Sequence, residues 1–394
     1  MQLEFLRPDV QKWIVENTFA DIGKLAFAKN PFPELDYKEL LGQLSSRAKA
    51  KDKLPSWFAQ TGILYPAKVS IEQTSSEKTA HYKSRLVSGT SLIDLTGGFG
   101  VDDYYFSKAV DQVTHCEMNA SLSAIAAHNF ERLAASNLTC HSGNSTDILN
   151  QLGQQFDWIY VDPSRRNESK GKVFLLRDCL PDVPDLLDFY FGFSDNIMIK
   201  TAPLLDITAA LSELKNVQKI HIVAVHNEVK ELLFILRKDH QSEIEIITSN
   251  LLNDSNQDFS FTLHEVANSS YSEPLHYLYE PNPAIYKSGA FDLIGTRFGL
   301  SKLYPHSHLY TSEMLNPDFP GRIFEIIKSV PYDKANMKSL LQGKKANISV
   351  RNFPETVDKL RAKWKIADGG ELYCFFTTIG HNDKIVVLSR KISS

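Results

Sequence analysis

The stretch Ser91-Leu92-Ile93-Asp94-Leu95-Thr96-Gly97-Gly98-Phe99-Gly100-Val101-Asp102-Asp103 decides the fold. Leu92, Ile93 and Leu95 form a short apolar run bounded by a glycine turn, the pattern of a buried strand. Asp94 stands near the C-terminal end of that strand, and Val101 to Ala109 reads as the start of a helix. A strand, a tight glycine turn and a helix start bring backbone N–H groups and a positive helix end to one spot. Thr96, Gly97, Gly98 and Gly100 are small enough for a ligand to come close to the backbone. The stretch therefore predicts a nucleotide-type site at the carboxyl end of a parallel strand.

The dinucleotide fingerprint G-x-G-x-x-G is met only in part, because Asp103 holds the third glycine position after Gly98 and Gly100. An acid there would face a pyrophosphate across a short distance. A cofactor with no phosphate and a cationic centre fits better, and S-adenosylmethionine is one. The plainer reading is a glycine-rich turn in some other α/β protein.

The bulk numbers set bounds. With 394 residues, two or three domains are expected. A 43% hydrophobic and 23% charged composition is ordinary for a globular chain. No apolar run approaches the roughly 18 residues needed to span a bilayer. Met1 to Pro8 shows no secretory leader, so a cytoplasmic location is expected. Cys116, Cys140, Cys179 and Cys374 are far apart, which speaks against a metal site or a disulfide framework. The net charge of −4 does not advertise a nucleic-acid binder. From Lys328 to Ser394, however, 13 Lys and Arg stand against 6 Asp and Glu. That excess suits either a solvated surface or a polyanion partner. The run Arg47-Ala48-Lys49-Ala50-Lys51-Asp52-Lys53 reads as a solvated helix face.

Residues 1–68 read as helical, with their aromatics in the core and a break at Asn30-Pro31-Phe32-Pro33. Ser75 or Ser76 would cap a polar helix that lies across the mouth of the site. After the glycine loop, Gln112 to Glu117 is a second strand. Its terminal acid, 19 residues past Gly98, sits where α/β nucleotide folds place a ribose-hydroxyl acceptor. Met118 follows and would lie against an adenine face. Ser121 to Leu133 is helical, and Leu138 to Ser142 is a third strand leading to Gly143-Asn144 and Asp147. Strand four, Phe156 to Val161, runs into Asp162-Pro163-Ser164-Arg165-Arg166 beside the first strand, at the topological switch point. Asn196 to Lys200 is strand five, Asp206 to Leu214 a helix, Lys219 to Val225 a buried strand, and His226 to Glu231 opens a further helix. Glu243–Ser249 and Phe259–Val266 form a hairpin. Beyond a boundary near Ala267 to Ser270 the pattern becomes α+β, with a basic helix from Pro354 to Trp364.

Asp94 to Gly100 resembles motif I of class I S-adenosylmethionine methyltransferases, with Thr96 where the first glycine often sits. Asp162-Pro163-Ser164-Arg165 resembles the Asp-Pro-Pro-Tyr element of members that methylate exocyclic amines of nucleobases. Ser164 and Arg165 depart from it, replacing the second proline and the base-stacking aromatic. The order of parts resembles bacterial class I methyltransferases with a THUMP-like C-terminal domain. These parts include Ser70-Ile71-Glu72-Gln73-Thr74-Ser75-Ser76-Glu77 and the tail glycines Gly369-Gly370. The resemblance implies a Rossmann-like sheet of seven strands, the last antiparallel. It divides the chain into a helical domain at 1–68, a methyltransferase domain at 69–270 and a THUMP-like α+β domain at 271–394.

It also assigns roles. Asp94, Thr96, Gly97, Gly98, Phe99 and Gly100 shape the cofactor pocket, Glu117 and Met118 hold the ribose and adenine face, and Asn144 or Asp147 holds the adenine edge. Asp162 and Pro163 orient the target amine, and Arg165, Arg166, Lys359, Arg361 and Lys363 grip phosphates. The expected function is S-adenosylmethionine-dependent methylation of an exocyclic base nitrogen in structured RNA, rRNA or tRNA, without metal or membrane. The alternatives are an NAD-dependent oxidoreductase, disfavoured by Asp103, and a catalytically degenerate RNA-binding scaffold.

Overall fold

The computed structural model describes residues 3–66, 71–165, 175–253 and 255–392. It divides into two compact units, Met1–Ile220 with Lys230–Ser242, and His221–Val229 with Glu243–Ser394.

The first unit begins with helices α1 (Pro8–Asn17), α2 (Ile22–Ala26), α3 (Tyr37–Lys53) and α4 (Pro55–Ala59). Val10, Ile14, Leu40, Leu44 and Trp57 bury a shared core with Phe99, Ile125 and Phe130. The N-terminal helices therefore pack directly beneath the glycine loop. Not all their aromatics join this core. Phe19 is 65% and Phe27 95% exposed, because one lies beyond the end of α1 and the other is the C-cap of the short α2. Arg47, expected on a solvated face, is buried with its guanidinium 4.5 Å from the Phe58 ring. Helix α5 (Glu77–Ser84) is closed by a capping box between Ser76 and Thr79.

The sheet follows with β1 (Ser91–Asp94), α6 (Val101–Phe106), β2 (Gln112–Glu117), α7 (Ala120–Arg132), β3 (Leu138–Ser142), α8 (Ser145–Leu152) and β4 (Trp158–Val161). Next come the two-residue strands β5 (Ser164–Arg165) and β6 (Cys179–Leu180), then α9 (Val183–Tyr190), β7 (Asn196–Thr201), α10 (Ile207–Glu213), β8 (Val217–Val225) and β9 (Glu228–Arg237). Within this unit the order is β9-β7-β4-β1-β2-β3. β1 pairs in parallel with both β2 and β4, β2 with β3 and β4 with β7, while β9 runs antiparallel to β7. The chain thus winds outward from β1 to β3 and restarts on the other side at β4. That reversal opens a crevice past the carboxyl ends of β1 and β4.

The helix expected from His226 is instead a strand. His226 and Asn227 both have positive φ, and Leu232 to Leu236 are all at most 5% exposed. Two left-handed residues make a tight reversal, and five consecutive buried apolar residues fit a strand covered on both faces rather than a helix stripe.

The second unit holds the antiparallel pair β10 (Glu245–Leu251) and β11 (Asn256–Thr262). It continues with β12 (Tyr277–Pro281), α11 (Pro283–Ser288), α12 (Phe291–Arg297), β13 (Ser301–Lys302), β14 (Tyr310–Ser312), β15 (Gly321–Pro331), α13 (Lys334–Leu340), β16 (Asn347–Val350), α14 (Val357–Trp364), β17 (Leu372–Ile379) and β18 (Asp383–Lys391). Its seven-stranded sheet runs β13-β14-β12-β15-β18-β17-β16, and only β16 and β17 pair in parallel. The basic helix begins at Val357 behind a Thr356 cap, three residues later than Pro354 led one to expect. Among the described residues no helix is long and apolar enough to cross a membrane.

Candidate functional site

The glycine loop is fixed from below. A Cβ on Gly97 would lie 2.1 Å from His115 Nδ1, and one on Gly100 would lie 2.3 Å from Phe130 Cζ. Gly100 also has φ 84° and starts α6. The loop is tied to both neighbouring strands, since Leu95 N–H donates to the Tyr160 carbonyl (3.0 Å) and Gly97 N–H to that of Cys116 (2.8 Å). Asp94 accepts from Thr96 N–H (2.7 Å) and Thr96 Oγ1 (3.1 Å), while Thr96 Oγ1 accepts from Asp162 N–H (2.7 Å). This chain locks the end of β1 to the end of β4. Burial, with Asp103 nearby, pushes the Asp94 carboxyl well above its usual range. Glu117 sits at the loop's edge, accepting from Gly98 N–H (3.0 Å) and Asn119 N–H (2.7 Å).

The expected placement of Asp103 is wrong. Its side chain is fully buried and points at His115 Nδ1 (2.7 Å), not toward a ligand. The first turn of a helix turns successive side chains about 100° apart, so the neighbour, Asp102, takes the outward place. Asp102 lines the crevice, and behind it is Lys83, an unexpected fully buried lysine. Lys83 Nζ lies 3.1 Å from Asp102 Oδ1, 2.8 Å from Glu231 Oε2 and 3.0 Å from Ser75 Oγ. Ser75 Oγ and Tyr160 OH each donate to Asp102 Oδ2 at 2.8 Å. Burial opposes the Asp102 charge, but Lys83 and Lys200 outweigh it and hold the carboxyl below its usual range. A lysine in a polar helix just ahead of a core strand was the available signal for Lys83.

At the end of β4, Asp162 forms an ion pair of 2.5 Å with Lys200 of β7. Lys200 was also missed, although a lysine ending the buried run Ile197-Met198-Ile199 requires a partner. Burial works against its charge, yet Asp162, Glu231 and Asp102 together hold its pKa above the usual lysine range. Pro163 is buried and Ser164 exposed; the Arg165 side chain and all of Arg166 lie outside the described residues.

These elements enclose a cavity of about 150 Å³. Gln73, Thr74 and Ser75 form one wall, the loop from Thr96 to Val101 another, and Asp94, Asp102, Tyr160 and Asp162 the rest. The segment before α5 thus lies across the mouth, as expected. Phe99 lines the cavity but its ring packs against Trp57 and Tyr65, at centroid distances of 4.8 and 6.0 Å. Met118 is 72% exposed and is not among the residues lining the cavity. Asn144 caps α8, its Oδ1 accepting from the N–H groups of Thr146 (2.9 Å) and Asp147 (3.5 Å), and Asp147 is exposed. In the second unit Arg361 is bound to Asp368 and to the Ala346 and Ile366 carbonyls. Lys363 is bound to Glu355 (3.0 Å) and Tyr332 OH (3.0 Å), and Lys359 is exposed. Two of the three expected phosphate grips on α14 are therefore engaged within the fold.

Residues 277–320 match a ferredoxin-like domain family and residues 321–391 a THUMP domain-like family. No curated protein matches the chain. A crystal structure from Porphyromonas gingivalis W83, described as a "putative methyltransferase", is 32% identical with a TM-score of 0.87, covering 99% of this chain and 98% of that one. An rRNA methylase from Streptococcus thermophilus is 12% identical with a TM-score of 0.31, over 42% of this chain and 95% of that one. SMU.776, described as "a putative methyltransferase complexed with SAH", is 13% identical with a TM-score of 0.33, over 41% of this chain and 49% of that one. At these scores the last two carry nothing over to this chain. The fold is Rossmann-like, of the class I methyltransferase type, with a THUMP-like C-terminal domain. The chain belongs to the family of the Porphyromonas gingivalis protein, which it matches over nearly the full length of both.

Proposed function

We propose that this protein is an S-adenosylmethionine-dependent methyltransferase that modifies an exocyclic base nitrogen of structured RNA. The observation that carries the reading is the charge of the cavity wall. Among its described lining residues it has no lysine or arginine and three aspartates, of which burial pushes Asp94 toward its neutral form while Asp102 and Asp162 carry the acidic character. Lys83 and Lys200 stand behind these acids rather than in the wall. Such a wall repels a pyrophosphate and suits a cofactor with a sulfonium and an ammonium group. The enclosed volume is below the ~300–1,000 Å³ typical of small-molecule sites. It suits the methionine end, with the nucleoside lying outward over Glu117 and Met118.

In this reading Glu117 accepts from the ribose hydroxyls and Asn144 or Asp147 meets the adenine edge. Because Asn144 spends its oxygen on the cap of α8, its amide N–H₂ is the group left for a ring nitrogen. When bound, S-adenosylmethionine supplies an electrophilic methyl group on a positively charged sulfur. Asp162 accepts an N–H of the target amine through Oδ1, since Oδ2 is held by Lys200. That aims the nitrogen lone pair along the line of displacement, where alignment supplies most of the rate. Pro163 stiffens the turn. The C-terminal domain from residue 271 would hold the RNA, with the catalytic domain at 69–270.

Two measurements test this. Calorimetric titration should give micromolar binding of S-adenosylhomocysteine and none of NADH. Glu117→Ala should weaken the former at least tenfold, the size of a lost charged hydrogen-bond pair. Methyl transfer from labelled S-adenosylmethionine to total RNA should then be abolished by Asp162→Ala with cofactor binding retained. Transfer that persists in that variant, or binding of NADH alone, would overturn the assignment.

A further inference from the structure

The second unit contains a cavity of about 420 Å³, within the usual ~300–1,000 Å³ range of ligand sites. It is lined by Asn227, Glu280, Pro281, Pro283, Tyr286, Arg322 and Arg351, all of that unit. At its base is Glu280 on β12, 2% exposed. Arg322, its cross-strand partner on β15, grips Glu280 Oε2 through Nε (2.7 Å) and Nη2. Arg351 follows β16, four places from β12 and three from β15 along the sheet, and its Nη2 reaches Glu280 Oε1 at 2.6 Å. The sheet therefore curls back until both ends of this stretch meet over one carboxylate. Glu280 and Tyr286 come from the ferredoxin-like segment, Arg322 and Arg351 from the THUMP-like one, so the cavity exists only where the two are joined.

The charge balance leaves this cavity positive. One buried carboxylate faces two guanidiniums that keep 36% and 35% of their side-chain surface open. Each guanidinium has five N–H donors. Arg322 directs three of them to Glu280 and Ser349. Arg351 directs three to Tyr286 OH, the Val350 carbonyl and Glu280. Two remain on each. Asn227 is exposed at the rim, its Oδ1 accepting from Asn250, which leaves its own N–H₂ as a further donor. Paired guanidiniums with free forked donors match the oxygens of a phosphate, which carries more charge and more acceptors than a carboxylate.

We propose that this cavity is a phosphate-binding site, taking a phosphate group carried either by an RNA end or by a free nucleotide. The site is separate from the glycine-loop cavity and does not depend on the methyl-transfer reading. Fluorescence-anisotropy and calorimetric titrations of the full chain would use a short oligoribonucleotide with and without a 5′-phosphate, and AMP against adenosine. At least tenfold tighter binding of the phosphorylated oligonucleotide alone supports an RNA end. The same preference for AMP supports a free nucleotide. No preference for either phosphorylated probe overturns the proposal. Arg351→Gln should abolish the preference. Because that change also breaks the Arg351–Glu280 pair, Asn227→Asp is the companion: an exposed, left-handed position that tolerates Asp and places a negative charge at the rim. It too should cost tenfold or more, with S-adenosylhomocysteine binding unchanged. A phosphate preference that survives both substitutions would mean binding elsewhere and would also sink the proposal.

Discussion

Lys200 shows how one side chain sets the chemistry of another. It is 14% exposed and holds Asp162 in an ion pair while facing Glu231 and Asp102. In the proposed reaction it would be a positioning residue, fixing the Asp162 carboxylate that is to meet the target amine. Lys200→Met should leave S-adenosylhomocysteine binding within about threefold and KM for RNA little changed, but lower kcat roughly ten- to a hundredfold. Lys200→Arg should recover part of that loss. A rise in KM with kcat intact would show that Lys200 binds substrate instead. Lys53 offers a second test at this scale. Burial, with Lys230 and Lys200 nearby, lowers its pKa from 10.5 to about 8. Between those values the unfolded chain binds more protons than the folded one, so stability should rise as pH climbs from 8 to 10.5. The gain should be on the order of 1 kcal/mol after discounting for solvent screening. Urea unfolding across that range checks it, and Lys53→Gln should flatten the slope.

Among the elements, the β1–α6 turn ties packing to function. Gly97 and Gly100 read in the sequence as ligand-approach positions; what the structure shows is that His115 and Phe130 fill the space behind them. Gly97→Ala should therefore cost about 2–3 kcal/mol through overpacking against His115, measured by urea unfolding. Full stability in that variant would mean the loop is free to shift. The strand ends carrying Asp94 and Asp162 were readable because each acid follows a short apolar run, Glu117 because it ends the next strand of the βα order, and register then brings the three to one edge. The β9 strand was misread because its apolar run Leu232 to Leu236 has no period of its own, and the reversal at His226-Asn227 lacks glycine. The sequence also misplaced Asp103, since one residue along a helix decides whether an acid faces a ligand or the core. Arg361 and Lys363 looked like free cations because their partners, Asp368 and Glu355, are set by the fold of the loop and not by helical spacing.

Across the whole molecule, the least legible feature is the buried charge cluster. Lys83 and Glu231 are 148 residues apart, one on a polar helix ahead of the first strand and the other on the strand antiparallel to β7. No local pattern links them. Both residues are buried from solvent, and neither lines the glycine-loop cavity. The cluster instead stakes the position of Asp102, and with it the wall formed by Ser75 and Tyr160. Replacing Lys83 by Met removes the cation bound to two buried carboxylates and leaves only the more distant Lys200 to offset them, and breaking a buried pair from one side costs ~3–5 kcal/mol. The variant should unfold at correspondingly lower urea and lose cofactor affinity as Asp102 moves. Lys83→Met combined with Glu231→Gln removes the uncompensated charge of Glu231, and stability should recover by half or more. Cofactor affinity should recover less, because Asp102 still lacks Lys83. If both properties returned together, the cluster would serve folding alone; if neither did, Lys83 would act through packing and not through charge.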